Sequence, residues 1–214
     1  MTRRSLFGLF SAAGLARQQD KPVQKDAFYE LPSNLPVPVD DGAAKHLAGM
    51  RVPSITLTST AGRRVNLSDL GPERTVIYCY PRTGVPGQPV PKGWDEIPGA
   101  RGCTPESCSF RDHFQQLGKL KTQVFGLSTQ STEYQREMVA RLHLPFEVLS
   151  DADFALTNAL RLPTFEFDGV RLLRRLSLVL ADGKIEKVFY PVFPPDKHPE
   201  EVIAWLEHRQ PSKK

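Results

Sequence analysis

From Met50 onward the apolar positions switch repeatedly between a period of two and a period near 3.6. Ser54-Ile55-Thr56-Leu57-Thr58 alternates, Thr60-Ala61-Gly62 supplies a turn, and Arg63 to Leu67 returns, which predicts a β-hairpin. The apolar run Thr75 to Tyr80 predicts a strand buried on both faces, followed by a long loop from Pro81 to Gly102. Helical spacing then extends from the cysteine-bearing stretch to about Leu120. Gln123 to Ser128 predicts a strand, and Thr132 to Leu142 an amphipathic helix with Ser131 or Thr132 as N-cap. Glu147 to Ser150 predicts a short strand and Ala152 to Arg161 a helix. Leu173 to Leu180 and Ile185 to Phe189 predict a hairpin across Asp182-Gly183, and a last helix runs from about Pro199 to His208. Alternating strands and helices imply parallel pairing in the sheet, with ligands gathering at the carboxyl ends of strands. The loop after Tyr80 leaves from such an end.

Before Met50 the pattern changes. Residues 17–49 are proline-rich and polar, and Leu31-Pro32-Ser33-Asn34-Leu35-Pro36-Val37-Pro38 predicts an extended polyproline-like arm ahead of a domain spanning residues 50–210. Residues 1–16 combine Arg3-Arg4, a short apolar segment and small residues up to Ala16. They resemble a twin-arginine export signal, which predicts a periplasmic protein with a mature terminus near Arg17; a plain tail in its place would leave the chain cytoplasmic.

Composition narrows the function classes. A chain of 214 residues, 40% of them hydrophobic, can bury one good core. The net charge of +4 comes from scattered Lys and Arg with no dense basic run or interleaved aromatic stripe, so nucleic-acid binding has no support. No segment approaches the ~20 apolar residues that span a bilayer. Three cysteines are too few for a disulfide scaffold.

Two of those cysteines carry the candidate chemistry. In Gly102-Cys103-Thr104-Pro105-Glu106-Ser107-Cys108 the residue types mark a helix start, with Thr104 as N-cap and Pro105 in the first helical position. A thiol just ahead of that start faces unpaired backbone N–H groups and the positive end of the helix dipole, which favour the thiolate and make Cys103 a candidate nucleophile. On an unbroken helix Cys108 would lie about 7.5 Å further along the axis. Disulfide geometry wants Cα atoms ~4.4–6.8 Å apart, so a bond between the two requires the first turn to unwind. A metal site using His113 is disfavoured, because ligands at i, i+5 and i+10 drift around a helix. Cys79 reads as a buried strand residue, and Trp94 in the long loop as a packing residue.

The element order is that of a thioredoxin-like α/β domain, a mixed sheet flanked by helices. The chain further resembles a peroxiredoxin of the Q or bacterioferritin-comigratory type, within the alkyl hydroperoxide reductase and thiol-specific antioxidant superfamily. The resemblance rests on Tyr80-Pro81-Arg82-Thr83-Gly84, on Gly102-Cys103-Thr104 through Cys108-Ser109-Phe110-Arg111-Asp112, on Val124 to Gln130, on Leu144-Pro145-Phe146 through Leu149-Ser150-Asp151, and on Arg175-Leu176-Ser177-Leu178. It implies a thiol peroxidase acting on hydrogen peroxide or organic hydroperoxides, with Cys103 peroxidatic, Cys108 resolving and a thioredoxin-like dithiol as reductant. It also implies no metal, haem or flavin, and a monomer or dimer. Arg175 would hold thiolate and peroxide, with Arg174 the neighbouring alternative.

One position departs from the family's Pro-x-x-x-Thr-x-x-Cys motif: Ala100 stands where the threonine belongs, and residues 85–100 are inserted between Pro81-Arg82-Thr83 and the cysteine. Thr83 could fold back to supply the hydroxyl, Thr104 could substitute, or the role could be absent. Two other readings stay open on this fold. One is a thiol-disulfide oxidoreductase or redox sensor; the other is a catalytically silent binding module.

Overall fold

The computed structural model describes residues 27–71 and 73–209; the export-signal-like segment 1–16 and the first part of the arm lie outside the described residues. The elements are β1 (Thr56–Ser59), β2 (Arg64–Asn66), β3 (Arg74–Cys79), α1 (Cys103–Asp112), α2 (Phe114–Lys119), β4 (Thr122–Ser128), α3 (Thr132–Leu142), β5 (Val148–Ser150), α4 (Ala155–Leu160), β6 (Thr164–Phe167), β7 (Val170–Leu173), β8 (Leu176–Ala181), β9 (Lys184–Phe189) and α5 (His198–Glu207). Among the described residues they form one seven-stranded sheet, ordered β2-β1-β5-β4-β3-β8-β9, and a separate β6-β7 ribbon. Strands β3, β4 and β5 are parallel and the other pairings antiparallel. This is the thioredoxin-like mixed sheet flanked by helices.

Side-chain alternation divides the core into two layers. Val76, Tyr78 and Tyr80 point to the face covered by α1, α3 and α5, together with Cys103, Phe110, Met138 and Leu206. Ile77 and Cys79 point to the opposite face with Leu127, Leu149 and the α4 residues Leu156 and Leu160. The sheet therefore separates Cys79 from Cys103. Ala44 and Leu47 are buried in the second layer, so packing begins before Met50.

Several boundaries differ from the sequence expectation, each for a local reason. The single helix expected from Cys103 to Leu120 is broken at His113, whose φ of −96° and ψ of 2° leave the helical well while its ring nitrogen engages the Ser109 carbonyl at 2.9 Å. Ser131 caps α3, its hydroxyl accepting from the Tyr134 amide at 3.3 Å. Helix α4 starts at Ala155 because the Asp151 carboxylate accepts from the amides of Leu156 (2.9 Å) and Thr157 (2.8 Å), holding the preceding residues in a turn. The strand expected from Leu173 is two strands: β7 ends there and β8 begins at Leu176.

The β6-β7 ribbon is an element beyond those the sequence pattern predicts. It turns at Asp168-Gly169, both with positive φ (50° and 71°), the same two-residue device as Asp182-Gly183 between β8 and β9. Its role is to receive the long loop. Trp94, 3% exposed, packs against Phe165 and Phe167 with ring centroids 6.1 and 5.0 Å away, next to Ala100 and Leu172. The expected packing role of Trp94 thus has a specific partner. Replacing it by Ala should destabilise the protein by about 3 kcal/mol, within the usual cost of truncating a buried aromatic. Hydrogen exchange should speed up selectively over residues 164–173, and unchanged protection there would show that the loop and ribbon are energetically independent.

Candidate active site

Helix α1 begins two residues earlier than the sequence suggested. Gly102, not Thr104, is the N-cap, with a left-handed φ of 104° that a side chain would strain. A Cβ there would collide with Pro195 and come within 2.9 Å of Leu31. Its carbonyl accepts the first helical bond, from the Glu106 amide at 3.0 Å. Cys103 is consequently the first residue of the helix and is only 4% exposed.

Strand topology delivers the arginine. Because β8 runs antiparallel to β3 with Leu176 opposite Cys79, residue 175 sits at the carboxyl end of β3, where the chain departs toward Cys103. Arg175, 3% exposed, donates from Nη2 to the Cys103 sulfur at 3.1 Å and to the carbonyls of Ala100 and Arg101, both at 3.2 Å. Its Nε donates to the Gly99 carbonyl at 3.2 Å, and its Nη1 pairs with the Glu106 carboxylate. Arg174, the alternative, makes no hydrogen bond to Cys103 among the described residues; it lines a surface cavity with Tyr190 and Val192.

In the sequence pattern Glu106 marks only a helix start. Three residues after Cys103 it shares that face of α1, and it is fully buried. Burial pushes its carboxyl above the ordinary range against the pull of Arg175 and His198. Burial likewise opposes the charge on Arg175, but Glu106 and Cys103 outweigh it and the guanidinium is held more firmly protonated than usual.

The candidate hydroxyls lie elsewhere. Thr83 is buried, with its Oγ1 donating to Gln130 at 3.3 Å and its carbonyl accepting from Tyr134 at 3.0 Å; it lines a cavity of ≈ 260 Å³ with Phe28, Trp94 and Gln130. Neither Thr83 nor Thr104 hydrogen-bonds to Cys103 among the described residues. The group facing the sulfur from position 100 is the Ala100 carbonyl, 3.7 Å away.

Cys108 lies on the same unbroken α1 and is half-buried; burial pushes its thiol up, and Arg111 only partly offsets this. Cys79 is completely buried and its thiol is also pushed up by burial. Among the described residues no cluster of three or more His, Cys, Asp or Glu could hold a metal ion, and no helix is long and apolar enough to cross a membrane. Alkylation followed by peptide mapping should leave Cys79 unmodified in the folded protein. Cys108 should react more slowly than a free thiol at pH 8, its rate still climbing above the free-thiol value of ~8.5 because its thiolate forms later. A Cys108 rate that levels off below pH 8 would contradict this.

Comparison with known proteins agrees with this geometry. The Redoxin family profile matches residues 47–203. Peroxiredoxin Bcp of Escherichia coli K12 is 30% identical over 167 residues, covering 75% of this chain and 95% of that protein. The chloroplastic peroxiredoxin Q of Sedum lineare is 27% identical over 198 residues, 92% of this chain and 90% of that one. Among solved structures, peroxidoxin BcpB from Mycobacterium tuberculosis superimposes with a TM-score of 0.63 at 23% identity, covering 77% of this chain and 99% of that one. Peroxiredoxin Q of Xanthomonas campestris gives 0.61 at 22% identity, covering 76% and 98%. With the family profile spanning most of the sequence and relatives of this kind matching over nearly their whole length, the chain belongs to the Redoxin family, among the peroxiredoxins of the Q and Bcp type.

Proposed function

We propose that Cys103 carries the thiol-peroxidase chemistry of this family, reducing hydrogen peroxide or an organic hydroperoxide. The observation that carries this reading is the buried Arg175 guanidinium 3.1 Å from the Cys103 sulfur. The Cys103 thiolate attacks the terminal peroxide oxygen. A sulfur–oxygen bond forms as the O–O bond breaks, and the electron pair leaves on the departing oxygen, which takes up a proton to become water or alcohol. Cys103 becomes a sulfenic acid. Arg175 acts on this step by holding the sulfur and presenting N–H donors to charge that moves onto oxygen, in a site from which water is largely excluded.

Cys108 is proposed to resolve the sulfenic acid. Its thiolate attacks the Cys103 sulfur and displaces hydroxide, leaving a disulfide within one chain. Both cysteines lie on one continuous helix about 7.5 Å apart along its axis, so this step requires the first turns of α1 to unwind. An external dithiol of the thioredoxin type then reduces the disulfide by exchange and is itself oxidised. No hydroxyl from Thr83 is assigned to the first step, because its Oγ1 donates to Gln130 and makes no hydrogen bond to Cys103 among the described residues.

Stopped-flow oxidation by peroxide tests the scheme. The wild-type protein should react orders of magnitude faster than an unassisted thiolate. Cys103→Ser should abolish turnover, and Cys108→Ser should permit one oxidation and then stall or over-oxidise. Arg175→Ala should slow the first step by roughly 10²-fold, the usual loss for one preorganised donor. A wild-type Cys103 no faster than free cysteine would overturn the reading.

A further inference from the structure

The Arg175 guanidinium depends on a segment with no regular structure. Three of its acceptors are the consecutive carbonyls of Gly99, Ala100 and Arg101, ahead of α1. Loop backbone is by default the mobile part of a fold, and Gly99 and Gly102, with φ of 78° and 104°, do nothing to stiffen this one. A side chain that holds these carbonyls steady would matter to the rate, since an error of about 1 Å in a group aligned on a reacting atom can cost ~10²-fold.

The Arg101 side chain supplies that hold. It is 6% exposed and its Nη1 forms a two-pronged contact with Asp95, 2.9 Å to Oδ1 and 3.2 Å to Oδ2. Its Nη2 donates to the Glu30 carbonyl at 3.2 Å, and the Phe28 ring centroid lies 5.6 Å from its guanidinium carbon. Each of these partners is anchored in turn. Asp95 follows Trp94, which is wedged against the β6-β7 ribbon, and Phe28 sits directly on Gly84, where a Cβ would collide with the ring. Leu31 and Pro38 of the same arm cover Gly102 and Gly99. An exposed ion pair would be worth little, but this arginine is buried, its two terminal nitrogens reach different partners, and an aromatic ring lies over its guanidinium.

We propose that Arg101 is a positioning residue for the peroxide reaction. Its side chain is gripped by the long loop and the N-terminal arm, and it fixes the three carbonyls that aim Arg175 at Cys103. The inserted segment 85–100 and the arm thereby acquire a shared task, with Asp95 and Phe28 as its two jaws. The proposal rests on the reading of Cys103 as the peroxide-reactive thiol.

A double-mutant cycle on the full-length protein, followed by stopped-flow oxidation with hydrogen peroxide, tests it. Arg101→Ala should slow oxidation of Cys103 by about 10- to 100-fold. Arg101→Lys, which keeps a charge for Asp95 but not the second nitrogen that reaches Glu30, should fall between it and wild type. In an Arg175→Ala background Arg101→Ala should cost little more, because the group it aims is gone. A wild-type rate in Arg101→Ala would overturn the proposal while leaving the peroxidase reading intact. An equal fractional loss in the Arg175→Ala background would also overturn it, since that is what a merely structural role gives. Should Arg101→Ala fail to fold, Asp95→Asn, at a position whose side chain is 40% exposed, serves in its place with the same expected pattern. A wild-type protein no faster than free cysteine would sink both readings together.

Discussion

A guanidinium taken out of water and left unpaired costs several kcal/mol, and Arg175 is almost completely buried. Much of the local architecture follows from satisfying that one group. Glu106 is placed three residues into α1 so that its carboxylate meets Nη1, and the segment 99–101 turns its carbonyls inward to take the remaining donors. The left-handed Gly102 starts the helix at Cys103 and brings the sulfur into the same shell. The arrangement is mutual: remove Glu106 and the charge loses its counter-ion, remove Arg175 and a buried carboxylate is stranded.

The sheet organises the rest around this shell. Antiparallel pairing of β8 with β3 puts Arg175 where the β3 loop begins, and the alternation of β3 sends Cys79 to the far side of the sheet. The neighbouring parallel strand β4 ends at Ser128, and Gln130 just beyond it accepts from the Thr83 amide and hydroxyl. Ala100, where the resemblance implies a threonine, contributes only its backbone carbonyl to the site, accepting from Arg175. The extra residues between Thr83 and Cys103 are ordered by burying Trp94 against a ribbon of their own.

Most strands and helices were legible because period-two and period-3.6 patterns report burial directly. The misses came from places where a specific side chain outweighs the pattern. His113 ends α1 early, Asp151 delays α4, and Gly102 takes the cap expected of Thr104 because its backbone conformation, not a hydroxyl, sets the entry. The β6-β7 ribbon did carry its signal, Asp168-Gly169 between short alternating runs, yet its half-exposed faces blurred the alternation. At the site, Cys103 stood out from its place at a helix start, whereas Arg175 could be nominated only through family resemblance, since nothing local distinguishes it from Arg174. Glu106 was hidden in plain view: acidic residues are so common in a first helical turn that its inward direction left no trace in the sequence. Thr83 was nominated for its hydroxyl, but which group a side chain faces across a long loop is decided by tertiary contacts with Gln130 and Tyr134.

Glu106 also lies between the two cysteines in sequence. Any covalent link from Cys103 to Cys108 closes a small ring that contains the counter-ion of Arg175. The helical turn that must open to admit the bond is the same turn that presents this carboxylate. The intact cationic shell and the proposed closed ring would thus be alternative states of one six-residue segment. If Cys108 closes the ring as proposed, the oxidised chain would lose the shell around Arg175 until a reductant cuts the ring.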